Sequence, residues 1–283
     1  MRKWKNNLFI AASGACALLA CGVLVLMVGA ICVRGLPAIN WSFFTEQMRL
    51  VGAAGGIFYN LIGTLILIAT ALVVCTPVAL GAGLLCGVYW HHSRWRPRFM
   101  VLLYLLNGVP SILFGILVLI VFVKFFGWGK SWLSGGILLG TMILPTVTIA
   151  LIERIESLPS KYLEAAAGLG LNPSQVIWSV IVPQSLTGLL TGSLLGLARA
   201  AGETAPIMFT ATIFAGATLP QGIKESPVLS LPYHIFVLAQ DSFDPSVGGK
   251  LWGTALVMVG MVFLLSLIAL PMRLRIHEEA HHP

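Results

Sequence analysis

Three groups of residues in this sequence have the types and spacing to do chemistry. Arg199 and Glu203 stand four apart in the string Arg-Ala-Ala-Gly-Glu-Thr-Ala-Pro, hence on one face of a helix, where they can pair. Guanidinium offers five donors in a planar fork that matches a tetrahedral oxyanion, and it stays charged throughout the physiological pH range. Anion handling is therefore the chemistry this pair would do. The competing readings are a structural ion pair joining two helices, or an Arg that snorkels because Thr204 to Pro206 already lie at an interface. His277-Glu278-Glu279-Ala280-His281 fits the zinc-protease pattern, but only two residues follow it, too few for a third ligand, so no metal is expected. Gly129-Lys130-Ser131 supplies the end of a phosphate-binding loop, yet Lys124 stands where its first glycine belongs, so no nucleotide or other cofactor is expected. Ser, Asp and His are too sparse within the apolar runs for a hydrolytic triad.

The elements that carry these residues are apolar. Hydrophobic residues make up 58% of the 283 positions, charged residues only 10%, and the mean hydropathy is +0.93. Such a chain is an integral membrane protein. Its apolar runs are long and unbroken, without the alternation of barrel strands, which makes the expected fold all-α. Six spans are expected: Leu8 to about Val33, Ile57 to about Tyr89, Phe99 to about Val123, Gly135 to Ile152, a helix from about Val176 that carries Arg199 and Glu203, and Leu251 to about Pro271. The first is too long for a signal peptide, and apolar sequence continues past the lipoprotein-like Leu18-Leu19-Ala20-Cys21. The second must bend near Thr76-Pro77 or protrude. Asn107-Gly108-Val109-Pro110-Ser111 interrupts the third, and Pro206 limits the fifth. Residues Ile207 to Lys250, with four prolines, read as an extramembrane loop with one short helix. Asn60, Thr64, Asn107 and Ser111 either line a path or tie helices together. Gly188, Gly192, Gly196 and Ala200 form a small-residue stripe expected to be a close-packing surface.

The net charge of +7 does not point to nucleic acid, because the basic residues fall mainly at the ends of apolar runs, where membrane lipid and topology account for them. With the N-terminus inside, ten Lys and Arg fall in inner segments and six in outer ones, which favours both termini in the cytoplasm. The five cysteines sit in or beside apolar runs and read as packing residues.

Between the fourth and fifth spans lies a polar hairpin, Ser157 to Gln175. Pro159 suits a first helical turn, Ala165 to Ala167 are strong helix formers, and Gly168 and Gly170 can end a helix. Asn172-Pro173-Ser174-Gln175 reads as an N-cap, an N1 proline and a capping-box Gln. The product is a short helix clear of the bilayer, on the cytoplasmic side, with a small alanine face that another protein can approach closely.

Glu164-Ala165-Ala166, three residues, Gly170, nine residues, Val180, one residue and Val182-Pro183 resemble the EAA motif of bacterial ABC importer permeases, with Val at two positions where Ile and Leu are more usual. In that family the segment is a coupling helix that docks on the ATP-hydrolysing subunit. The string Arg199 to Ala211, Gly35-Leu36-Pro37 with Phe43-Phe44-Thr45-Glu46, Gly55-Gly56-Ile57, and Gly108-Val109-Pro110-Ser111 resemble the PstA-type permeases of phosphate ABC importers. The resemblance covers most of the chain. It implies a type I importer permease fold in a bacterial inner membrane, with residues 1–56 as a first helix and outer linker, 57–275 as the transmembrane core and 276–283 as a cytoplasmic tail. It further implies no enzymatic activity in this chain, Arg199 and Glu203 in the substrate path, and Glu164, Ala165, Ala166, Gly170 and Pro183 in ATPase coupling. The implied partners are a second, PstC-type permease, a PstB-type ATPase dimer and a soluble PstS-type phosphate-binding protein. One departure bears on the cargo: after Leu144-Pro145 many such permeases carry an Arg, whereas here the following residues are Thr146, Val147, Thr148 and Ile149. Another oxyanion, such as sulfate, molybdate or phosphonate, is the alternative cargo, and a non-transporting membrane sensor or scaffold is the alternative class.

Overall fold

The computed structural model describes residues 2–49, 52, 54–216, 219–240 and 245–279, and among them the fold is helical apart from one two-residue β-hairpin. Helix α1 is Arg2–Gly35, and the short α2 (Trp41–Thr45) lies in the linker after it. Helix α3 (Phe58–Leu84) runs through Pro77 and closes in a π-helical turn, Leu85–Tyr89. Helices α4 (Trp95–Gly108) and α5 (Ser111–Val118, extended by a π turn to Phe125) follow. Then come α6 (Trp132–Glu156), the hairpin helices α7 (Ser160–Gly168) and α8 (Pro173–Val176), and α9 (Val182–Ala201). The chain ends with α10 (Ala205–Thr210), α11 (Leu231–Gln240) and α12 (Pro245–Glu279).

Five helices are long and apolar enough to cross a bilayer, and α4 with α5, bent by 92° at the break, together have the length and hydropathy of a sixth. Pro110 accounts for the bend. Proline has no N–H for the preceding turn, and it forces the residue before it out of helical geometry; Val109 is accordingly extended, at ψ 131°. Helix α6 is the axis of the bundle: two-thirds of its apolar window is buried inside the protein, against none of that of α1. It packs between α3 and α9. The small-residue stripe of α9 makes the second of these seams, as its spacing predicts. A Cβ added at Gly192 would stand 2.9 Å from Val147 Cα, and one at Gly196 would stand 3.0 Å from Ile143 Cβ. Helix α1 joins the bundle through its C-terminal end, where Gly35 abuts the Trp252 carbonyl and Arg34 lies 5.0 Å from the Trp252 ring.

The stretch expected as an extramembrane loop with one short helix, Ile207 to Lys250, carries two short helices, α10 and α11, and its described residues pack back onto the bundle. Val228, Leu229 and Leu231 are fully buried. Leu231 N donates to Thr64 Oγ1 at 2.9 Å, and Val228 bridges to Thr212. Ser131 N donates to Thr210 O and Trp132 N to Ser226 O, each at 3.0 Å. Lys130 Nζ reaches Met208 O at 2.8 Å, where its charge faces the carbonyl end of α10. These bonds explain why polar, proline-rich chain can lie against an apolar core: its buried peptide groups are paired. Thr64 is thus helix glue, and Asn60 is likewise buried. His234 of α11 is buried here, and that burial, with Lys250 adding to it, pushes its imidazole down from 6.5 to about 4.

Candidate transport site and coupling hairpin

The seam register sets the depth of Arg199. With Gly192 against Val147 and Gly196 against Ile143 in antiparallel helices, Arg199 stands level with Gly140, about 12 Å along α6 from its N-terminal end at Trp132. Side chains of a helix lean toward its N-terminus, so this one reaches further inward, toward the middle of α6. Its Nη1 donates to Asn107 Oδ1 at 3.0 Å. Thr146 Oγ1, one residue past Pro145, donates to the same oxygen at 3.1 Å. Three spans therefore converge: the last turn of α9, the middle of α6 and the break in the third span. Asn107 is exposed, and Thr146 and Arg199 are half-buried, so the cluster opens onto a free face of this chain rather than into its core.

Glu203 does not complete the helical pair that its spacing suggests. Helix α9 ends at Ala201, Gly202 caps it, and Glu203 lies in the turn before α10. The four-residue spacing guarantees a shared face only while the helix continues. Among the described residues the ion pairs are Arg49 with Glu46 and Arg96 with Glu156, the second tying the start of α4 to the end of α6. Asn107 and Thr146 are visible in the sequence as an Asn just before the Gly-Val-Pro break and a Thr just after the Leu-Pro pair. Nothing local says that they meet at Arg199, because their partners lie 92 and 39 positions away.

The hairpin is built from local rules. Leu171 N donates to Ala166 O at 3.1 Å and Gly170 N to Ala167 O at 3.0 Å, the two bonds of a Schellman ending. Gly170 takes the left-handed conformation this ending requires, φ 69°. Asn172 and Gln175 exchange side-chain to backbone bonds of 2.9 Å each, the reciprocal capping box. Pro159 is the N-cap residue of α7 and not its first helical residue. Ala166 is buried; Glu164, Ala165 and Gly170 are exposed, as are Leu163, Leu169 and Pro183 nearby. A cavity of about 350 Å³, lined in part by His91, His92, Glu156 and Leu163, lies beside the hairpin. The result is a projecting knob with an exposed face that is part alanine, part leucine and carries one carboxylate.

A multi-pass helical membrane protein with a polar cluster where three spans meet, and a capped helix projecting from one connection, has the parts of a solute permease. Residues 79–275 match the family model described as binding-protein-dependent transport system inner membrane component, and the chain belongs to that family. It is 33% identical over 86% of its length to the phosphate transport system permease protein PstA of Xylella fastidiosa, covering 83% of that protein. It is 32% identical over 99% of its length to the probable phosphate transport system permease protein PstA of Methanocaldococcus jannaschii, covering 96% of it. In fold it is similar to a chain of the inward-facing MetNI methionine ABC transporter, with a TM-score of 0.61, 14% identity, and coverage of 78% of this chain and 97% of the other.

Proposed function

We propose that this chain is a permease subunit of an ATP-driven importer of inorganic phosphate, with both termini in the cytoplasm. The observation that carries the reading is the Arg199 guanidinium, held by Asn107 on an exposed polar break well below the outer end of α6. A fixed positive charge at such depth is expensive unless it faces a watery path or a partner, and a planar fork of donors suits a tetrahedral anion. Relatives named as phosphate transport permeases support the choice of cargo.

A second, related permease closes the open face and completes the path, a soluble binding protein delivers phosphate to the outer cover, and an ATPase pair drives the cycle from the cytoplasm. Hydrolysis of ATP belongs to that pair and not to this chain. Glu164, Ala165, Ala166 and Gly170 form the surface the ATPase grips, with Pro183 at the first turn of α9 to transmit the movement; closure of the ATPase pair then alternates access to the cluster. Glu203, in the turn outside Arg199, acts at the outer gate. The absence of an Arg from the residues after Leu144-Pro145, which read Thr146, Val147, Thr148 and Ile149, favours, as a second reading, a different oxyanion as cargo.

The test is Arg199→Ala in cells that depend on this importer. Labelled phosphate uptake falls by roughly a hundredfold, the scale of a lost hydrogen bond to a charged group, while the complex still assembles. Near-normal uptake in that variant refutes the role; competition by sulfate or molybdate at equal strength refutes the choice of phosphate.

A further inference from the structure

The three-residue cluster has a hydrogen-bond polarity that follows from one member. Arg199 has only donors, so Asn107 must turn its carbonyl oxygen, and not its amide nitrogen, toward the guanidinium. That oxygen has two lone pairs, and Thr146 takes the second by donating its only hydroxyl proton. Two consequences follow for whatever enters the open face. Asn107 has its amide N–H groups left to offer, and Thr146 Oγ1 has only lone pairs left to offer. The cluster thus combines a cationic fork, a neutral donor and a neutral acceptor.

We propose that Asn107 and Thr146 make this site selective for an oxyanion that still carries a proton, an inference that rests on the reading of Arg199 as the anion-binding residue. Ionised oxygens of the anion meet the free guanidinium donors and the Asn107 amide, and its hydroxyl donates to Thr146 Oγ1. Inorganic phosphate keeps at least one proton near neutrality and can make all three contacts. Sulfate has none, so one of its oxygens faces the Thr146 lone pairs. Thr146 can offer sulfate its proton only by leaving Asn107, which also frees the carboxamide that holds Arg199. Rejection of an anion that leaves a polar group unmatched is a form of specificity that contact area alone does not provide. Asn107 is in this account a positioning residue as well as a donor: it fixes the direction of Arg199 and the direction of the Thr146 proton.

The experiment measures binding of labelled inorganic phosphate, with unlabelled sulfate as competitor, to the assembled membrane complex in lipid nanodiscs without the soluble binding protein, whose own selectivity would mask that of the permease. In the unaltered complex sulfate competes much more weakly than phosphate does. Thr146→Val weakens phosphate binding by about fivefold, the scale of one neutral hydrogen bond, and brings the two anions closer together, while Thr146→Ser restores both. Asn107→Asp keeps the acceptor for Arg199 and Thr146 but places a negative charge on the guanidinium, and phosphate binding is lost in a complex that still assembles. If Thr146→Val leaves both the phosphate affinity and the preference over sulfate unchanged while Arg199→Ala abolishes binding, the proposal falls and the reading of Arg199 stands. Binding that survives Arg199→Ala overturns both.

Discussion

The two connections that flank α9 have similar composition and opposite fates. Residues 157–172 before it and 202–244 after it both break the apolar pattern with Pro, Gly and polar side chains. The first projects, with Leu169 and most of its alanines exposed and its turns closed by its own caps. The second returns to the bundle, burying Val228, Leu229 and Leu231 against α3 and bonding its backbone to Ser131, Trp132 and Thr64. One connection stands clear of the bundle, and the other is part of its body. The difference lies in where the peptide groups find partners: within the hairpin itself in one case, across the fold in the other.

Substitutions can break this contrast. The largest effect is expected at Gly63, where an added Cβ would stand 2.0 Å from the Leu229 carbonyl. Gly63→Leu pushes the segment around Leu229 off α3 at about 3 kcal/mol or more; loss of folded protein from detergent extracts checks it, and a normal yield would mean that the segment is not docked there. Acidification acts on the same region through His234. Its folded value, about 4, lies below the ordinary 6.5, so the unfolded chain binds the extra proton first as pH falls. Stability is therefore flat above 6.5 and declines as pH drops toward 4, by about 2 kcal/mol at pH 5. Melting curves of the purified complex at pH 7.5 and pH 5 show it, and His234→Met reduces the difference.

Smaller effects are expected in the hairpin. Gly170→Ala places a Cβ on a left-handed residue, at a cost of about 1 kcal/mol. The fold persists, and transport-linked ATP hydrolysis drops because the Schellman turn that aims α7 is loosened. Hydrolysis as tightly coupled to uptake as before would count against a coupling role for the knob. Asn172→Ala removes one half of the capping box and costs about 0.5 kcal/mol at this exposed site; faster amide exchange at Gln175 and Val176, with no change at Leu231, separates the self-capped connection from the docked one.

The hairpin was legible from sequence because its determinants lie within a few residues of one another. Gly170 ends a helix, and Asn172 to Gln175 start one, whatever the rest of the chain does. The break in the third span was legible for the same reason, since Pro110 acts on its neighbours. The segment after α10 was not, because Val228-Leu229-Ser230-Leu231 is too short to carry a period and finds its partners in α3 and at Ala211. Nor was the partner of Arg199. Spacing put Glu203 on its face, but the helix stops at Ala201, and the guanidinium turns to Asn107 on a different span.

By itself the sequence determined that the chain lives in a membrane, which runs are long and apolar enough to cross it, which stripe of α9 packs closely and where a capped helix projects. These are matters of composition, length and near-neighbour spacing, and each is decided within about one turn or one span of chain. Only the tertiary structure decided that the connection after α9 is core and that Arg199, Asn107 and Thr146 form one site. Contacts between residues 39 and 92 positions apart depend on the register of packed helices and the angle of a bent one. No local pattern encodes either, because both are set by how all the spans fill space together.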